Sequence, residues 1–407
     1  MIVEPITCLR PTPESVSEFA ALPYDVFTEE EARAYVSQHP KSFLAIDRPE
    51  TGFPPGTDPT SQEVYDHARE LVRERQLDST LVRDEKPCFY VYELTSGAHR
   101  QTGLMGAVSV DEYLDGTLRR HELTLARKEE DRVRHIKTTR AQTGPVFLAY
   151  RDNMAVSTII EAACMSEPLY DFTSPDGVRQ RVWRIARPVA VEAISVGFTT
   201  VDGAYIADGH HRAAAAVRIC EERREQGRVD DPSSSFLAVL FPKSQLRILP
   251  YNRIVADRNG MDTTDLVSKV EAAGFSCSEV GVTPFVPNAR REFGMYTDGR
   301  WYKIAWNGEL DDDDPVSSLD VSILQDNVLA PLLNVQDPRT DKRISFVGGA
   351  DAHEVAAKVP GDGVGFLLYP TSLDDLMAVA DANELMPPKS TWFDPKLLSG
   401  LALRRIW

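Results

Sequence analysis

The stretch AYIADGHHRAAAAV, residues 204–217, decides how the chain is read, because an apolar run passes through Asp208-Gly209 straight into an alanine-rich segment. Residues 201–207 have the composition of a buried strand. From His211 onward, alanine content and the apolar positions Ala214, Val217 and Ile219 give a helix. Asp208 or Gly209 then falls near the helix N-cap. The first N–H groups of a helix lack internal partners and carry partial positive charge, so this place attracts anions. His210, His211 and Arg212 strengthen that attraction, whereas Asp208 opposes it and is explained as a cap, a metal ligand or a base. An Asp-Gly turn before a helix is common, and two histidines can be satisfied by carbonyls. Against that plain reading, the chain has only eight histidines and two stand together at a strand-to-helix turn, where α/β folds place ligands.

Composition narrows the classes around this turn. At 407 residues the chain exceeds one typical domain, and its hydrophobic and charged fractions, 42% and 26%, are those of a globular protein. A formal net charge of −17 argues against nucleic acid or an acidic membrane as partner, since both demand many phosphate-neutralising cations. Cys8, Cys88, Cys164, Cys220 and Cys277 are dispersed without a CxxC pair, which speaks for reduced thiols and a cytoplasmic location. Glu4 and Pro5 do not suit a signal peptide, and no apolar run approaches membrane-spanning length.

Read in order, Leu22-Pro23-Tyr24-Asp25-Val26 is an extended segment that leads to a helix capped by Thr28, and residues 62–76 form an amphipathic helix. Residues 88–94 and 103–110 make a hairpin in a mixed sheet. Residues 119–132 are dense in polar groups. A solvated helix with i,i+4 ion pairs accounts for Lys128 and Arg132, but His121-Glu122 follow the turn Asp115-Gly116 and are candidates for function. After the central turn, the helix runs to about residue 226 and a strand occupies 236–241, with neither GxGxxG nor GxxxxGK[ST] present, which speaks against a Rossmann or P-loop enzyme. Arg253 follows soon after. A helix at 263–273 ends on Gly274, Asp298-Gly299 turns a hairpin, residues 344–369 read as a small βαβ unit, and 373–385 is the last long helix. The acidic run 311–314 lacks the alternation of an EF-hand and reads as a solvated loop. In the tail, Lys389-Ser390-Thr391 offers one cation and two hydroxyls in three residues, stiffened by Pro387-Pro388. The expected fold is mixed α+β in three parts: an N-terminal α+β region (1–175), a core carrying the turn (176–256), and a C-terminal α+β region whose tail returns to the site (257–407).

Asp208-Gly209-His210-His211-Arg212, joined to Pro23-Tyr24-Asp25-Val26, Arg120-His121-Glu122-Leu123-Thr124 and Pro388-Lys389-Ser390-Thr391, resembles a bacterial and archaeal DGHHR-motif family without an assigned activity. The likeness extends over nearly the whole chain. That family is related to the ParB/sulfiredoxin-like nucleotide-binding fold and to the archaeal free serine kinase, which takes phosphate from ADP. Sulfiredoxin-like proteins have Gly-Cys-His-Arg at this turn, so His210 stands at the position of the redox cysteine and sulfinic acid reduction loses its nucleophile. ParB-like proteins have Gly-Glu-Arg-Arg there, whereas the kinase shares the Asp-Gly-His-His-Arg turn itself.

The resemblance implies a nucleotide-dependent phosphotransferase acting on a hydroxyl metabolite such as serine, with ADP or ATP and Mg²⁺ as cofactors and small molecules rather than nucleic acid or membrane as partners. Phosphoryl transfer is mostly positioning and charge stabilisation. Gly209, Arg212, Lys389, Ser390 and Thr391 are then candidates to hold phosphate. Asp208, His210, His211 and Glu122 are the catalytic candidates, with Asp208 also a metal ligand and Glu122 the general base. Tyr24, Asp25, His121, Thr124 and Arg253 are candidates for substrate contact. The competing functions are a phosphatase on a small metabolite such as phosphoserine, which lacks an RHG motif here, and a nucleotide-binding regulator without turnover.

Overall fold

The computed structural model describes residues 1–229, 231–309 and 314–407. The fold is mixed α+β, and its contacts group into two units: residues 1–120, 124–246 and 395–407 in the first, 121–123 and 247–394 in the second.

The first unit is built on a sheet whose strands run Leu118–Arg119, Ala204–Asp208, Val146–Tyr150, Ser235–Pro242, His99–Ser109, Phe89–Ser96, Arg179–Ile185 and Tyr170–Thr173, with Val3–Glu4 also on His99–Ser109. Ala204–Asp208 pairs parallel to Leu118–Arg119 and antiparallel to Val146–Tyr150, and Ser235–Pro242 runs parallel to Val146–Tyr150. Central strands such as Ser235–Pro242 are buried along their whole length, which explains their unbroken apolar sequences. Beside the sheet lies the helix His210–Glu225, whose Ala213, Ala215 and Ala216 are buried. Their small side chains let Val133 and Ile136 of the helix Ala126–Thr139 pack against Ala215 and Ile219. A smaller sheet orders Leu81–Arg83, Cys8–Pro11, Leu403–Arg405 and Ala141–Gln142, so residues near the end of the chain complete a sheet begun at its start.

The second unit is an antiparallel six-stranded sheet in the order Phe275–Gly281, Arg300–Trp306, Glu292–Thr297, Val364–Leu368, Tyr251–Val255 and Ile344–Gly348. Ile344–Gly348, the helix Ala352–Lys358 and Val364–Leu368 form the expected βαβ unit, with Tyr251–Val255 inserted between its two strands. The hairpin turn carries Asp298 at φ 46° and Gly299 at φ 75°.

Most elements fall where the hydrophobic pattern puts them. Thr28 caps the helix Glu29–Gln38 in a full capping box with Glu31. The helix expected over 373–385 ends earlier, at Asp381. Of the acidic run 311–314, residues 311–313 lie outside the described residues, while Asp314 accepts from the N–H groups of Val316 and Ser317.

Candidate functional site

The strand Ala204–Asp208 breaks register with Val146–Tyr150 between Ile206 and Asp208, directly before the turn. Gly209 is the helix N-cap at φ 94°, a conformation that costs a side-chain-bearing residue energy and glycine little. This corrects the reading of Asp208 as a cap, because no side chain caps the helix. Asp208 instead accepts from Lys396 Nζ at 3.0 Å on Oδ2 and faces Arg212 Nη2 at 3.9 Å on Oδ1. Burial opposes ionisation of this carboxyl, but the charges of Lys396 and Arg212 outweigh it and hold the group well below the usual carboxylate range. With cations at both oxygens, Asp208 does not fit the role of a magnesium ligand. Among the described residues no group of three or more His, Cys, Asp and Glu could hold a metal ion.

Arg212 donates to Pro145 O at 2.5 Å, and its guanidinium passes between two glycines. A Cβ on Gly209 would lie 3.1 Å from Arg212 Nε, and one on Gly144 would lie 3.2 Å from its Nη1. His210 is buried. His211 Nε2 accepts from Leu125 N–H at 3.0 Å, so the neutral ring carries its proton on Nδ1 and the start of one helix is tied to the start of another.

Leu125 is the N-cap of the helix Ala126–Thr139, and no side chain caps that helix either. Arg127 and Lys128 lie in its first turn. Leu125, Arg127, Lys128 and Arg132 line an open cleft, together with Tyr24, Asp25, Phe27, Asp47 and Tyr65. Arg132 corrects the picture of a solvated helix face. It is only 6% exposed, lies 4.1 Å above the Tyr24 ring, and bridges Asp131 at 2.6 Å and Asp47 at 3.6 Å. Burial pushes the Tyr24 hydroxyl up to about 12, against the pull of Arg132 and Arg212. Tyr24, Asp47 and Arg132 also border a narrow inner cavity that contains Arg212, Thr143 and His135. His135 donates from Nε2 to Ile46 O at 2.8 Å, and burial, helped by the charge of Arg132, lowers its pKa and keeps it neutral.

The sequence candidates therefore divide between the two units. Tyr24, Asp25, Thr124 and residues 208–212 belong to the first, where Thr124 donates to Glu129 Oε2 at 3.2 Å. His121, Glu122, Arg253 and Lys389-Ser390-Thr391 belong to the second. There Thr391 Oγ1 and His121 Nε2 are 3.4 Å apart, and Arg253 donates to Lys389 O at 3.0 Å. Sequence reasoning missed Asp47, His135 and Lys396. Arg132 and His135 were visible in principle as polar interruptions of the stripe formed by Val133, Ile136 and Thr139; Lys396 lies 188 residues from Asp208 and carried no local signal.

The family model described as "Protein of unknown function (DUF1015)" matches residues 3–322. The chain belongs to the DUF1015 family. No curated protein matches it. Among solved structures, SbnI with a C-terminal truncation from Staphylococcus aureus is 12% identical, with 74% of this chain and 87% of that chain covered and a TM-score of 0.39. A conserved hypothetical protein from Pyrococcus furiosus is 13% identical, over 74% and 95% of the two chains, at TM-score 0.35. A free serine kinase variant in complex with ADP is 14% identical, over 75% and 91%, at TM-score 0.36. Among the described residues, no helix of this DUF1015 member is long and apolar enough to cross a membrane.

Proposed function

We propose that this protein is a nucleotide-dependent phosphotransferase acting on a small hydroxyl metabolite, serine being one candidate, and that the cleft of the first unit receives the phosphates. One observation carries this reading. Arg127 and Lys128 occupy the first turn of a 14-residue helix, where the macrodipole repels cations, and both line the open cleft. An oxyanion in the cleft converts that repulsion into attraction. The rings of Tyr24, Phe27 and Tyr65 add apolar and stacking surface of the kind a nucleobase uses.

ADP or ATP would supply the phosphoryl group. The chain's own residues position and neutralise it: Arg127 and Lys128 at the cleft wall, and Arg132 held over Tyr24. Asp208 anchors Lys396 and Arg212, and a carboxylate so strongly held in its ionised form is a poor proton acceptor. Asp25, exposed on the cleft wall, is our candidate to receive an acceptor hydroxyl's proton. The ParB/sulfiredoxin-like relationship and the kinase-like turn at 208–212 belong to the same proposal.

The test is to incubate the protein with ADP or ATP, Mg²⁺ and hydroxy metabolites and to follow phosphorus by NMR, while measuring nucleotide affinity of wild type and of an R127A/K128A double variant. Transfer by wild type, with affinity weakened at least tenfold in the variant, is expected. Unchanged affinity overturns the cleft assignment. Nucleotide binding without transfer replaces the kinase by a regulator, and phosphate release from phosphoserine without nucleotide replaces it by a phosphatase.

A further inference from the structure

Among the described residues, the second unit buries a cation with no carboxylate paired to it. Arg253, in the strand Tyr251–Val255, is 3% exposed; among the described residues it donates to the carbonyls of Tyr251 and Lys389, the latter at 3.0 Å, and its guanidinium lies 5.5 Å from the Phe346 ring centroid. A guanidinium removed from water normally carries an acidic partner, because its desolvation is otherwise poorly offset. Burial accordingly lowers its pKa to about 10, which still leaves it charged at neutral pH.

Above this charge lies the loop of Lys389, Ser390 and Thr391. Lys389 adopts φ 59°, a left-handed conformation that suits glycine or asparagine, yet the position carries an exposed cation. Its Nζ stands 5.6 Å from the Tyr251 ring centroid. Tyr251 packs edge-on against Trp392, and Trp392 lies so close to Gly348 that a Cβ there would meet its ring at 2.1 Å. Thr371 holds the loop from another side by donating to Ser390 O at 3.0 Å. Thr391 Oγ1 and His121 Nε2, 3.4 Å apart, set a hydroxyl and an imidazole next to the same loop.

We infer that this loop is a phosphate-binding site of the second unit: Lys389 and the Thr391 hydroxyl contact the oxyanion, His121 joins them, and Arg253 is a positioning residue that fixes the Lys389 carbonyl and charges the loop from beneath. The inference does not depend on the cleft of the first unit, since every residue in it belongs to the second. The ligand class is a phosphate or phosphomonoester, whose several oxygens match one ammonium, a hydroxyl and an imidazole better than a carboxylate does.

The experiment titrates inorganic phosphate, and then phosphoserine, into the full chain and follows the imidazole carbon resonance of His121, assigned with H121Q. A saturable shift is expected, retained in R127A/K128A and weakened about tenfold in K389A. K389G separates binding from folding: glycine relieves the left-handed backbone, so its thermal midpoint should be no lower than wild type while the phosphate shift weakens as in K389A. A His121 resonance that does not respond to phosphate, or responds equally in wild type, K389A and K389G, overturns the site. Loss of the response in R127A/K128A with retention in K389A also overturns it and assigns the phosphate to the cleft.

Discussion

Lys396 and Asp208 show how one contact fixes the chemistry of a turn. The pair is held at 3.0 Å, and K396A removes a charge-assisted bond while leaving the carboxylate facing Arg212 alone; a loss of about 2 kcal/mol in urea unfolding is expected. Because the folded-state pKa of Asp208 is depressed, its contribution is present above the ordinary aspartate value and is lost as the pH falls below it. The stability gap between wild type and D208N should therefore narrow progressively below about pH 4, and a constant gap contradicts the assigned pairing. His135 acts in a different range. Its folded pKa is lowered by burial, so the unfolded chain binds the proton first and stability drops as the pH falls through about 6.5. H135Q should flatten that part of the stability profile. At this scale the sequence was informative where a residue and its neighbours in the chain share a task, as in the Asp208-Gly209 turn. It was silent for Lys396, and it misled at Arg132, whose i,i+4 neighbours suggested water while Tyr24, more than a hundred residues earlier, buries it.

Among the elements, the two helices that begin at Gly209 and Leu125 are joined at their N-terminal ends by His211, and each lacks a side-chain cap. The helix Ala126–Thr139 carries an electrostatic cost in Arg127 and Lys128. Neutralising them should stabilise the protein by about 0.3–1 kcal/mol per charge while weakening nucleotide binding. A variant that loses both stability and affinity would instead identify the two side chains as structural. Helices and strands were legible because their apolar periods are local; thus 62–76 was read and Gln62–Leu77 is observed. Pairing was less legible. Nothing in residues 344–369 announces that Tyr251–Val255 will enter between the two strands of that βαβ unit, because strand order depends on which edges remain open once the chain has folded.

For the whole molecule, the division into two units does not follow the order of the chain. Residues 395–407 belong with the first unit, where Leu403–Arg405 sits between Cys8–Pro11 and Ala141–Gln142, and Arg404 donates to Ser235 O at 2.9 Å. A chain stopped after Asp394 should lose the four-stranded sheet as well as the Asp208 anchor. Amide hydrogen exchange should then rise in residues 8–11 and 141–142, with the sheet of the second unit, Tyr251–Val255 included, keeping its protection; the reverse pattern contradicts the division. The same feature sets a timetable for synthesis. Domains commonly fold in the order in which they leave the ribosome, but here the first unit must wait for a strand that is translated after residues 247–394. A nascent chain can settle its second unit while the first still holds an open edge at Cys8–Pro11, and an interrupted chain carries that edge exposed, available to quality-control factors that recognise unpaired strands.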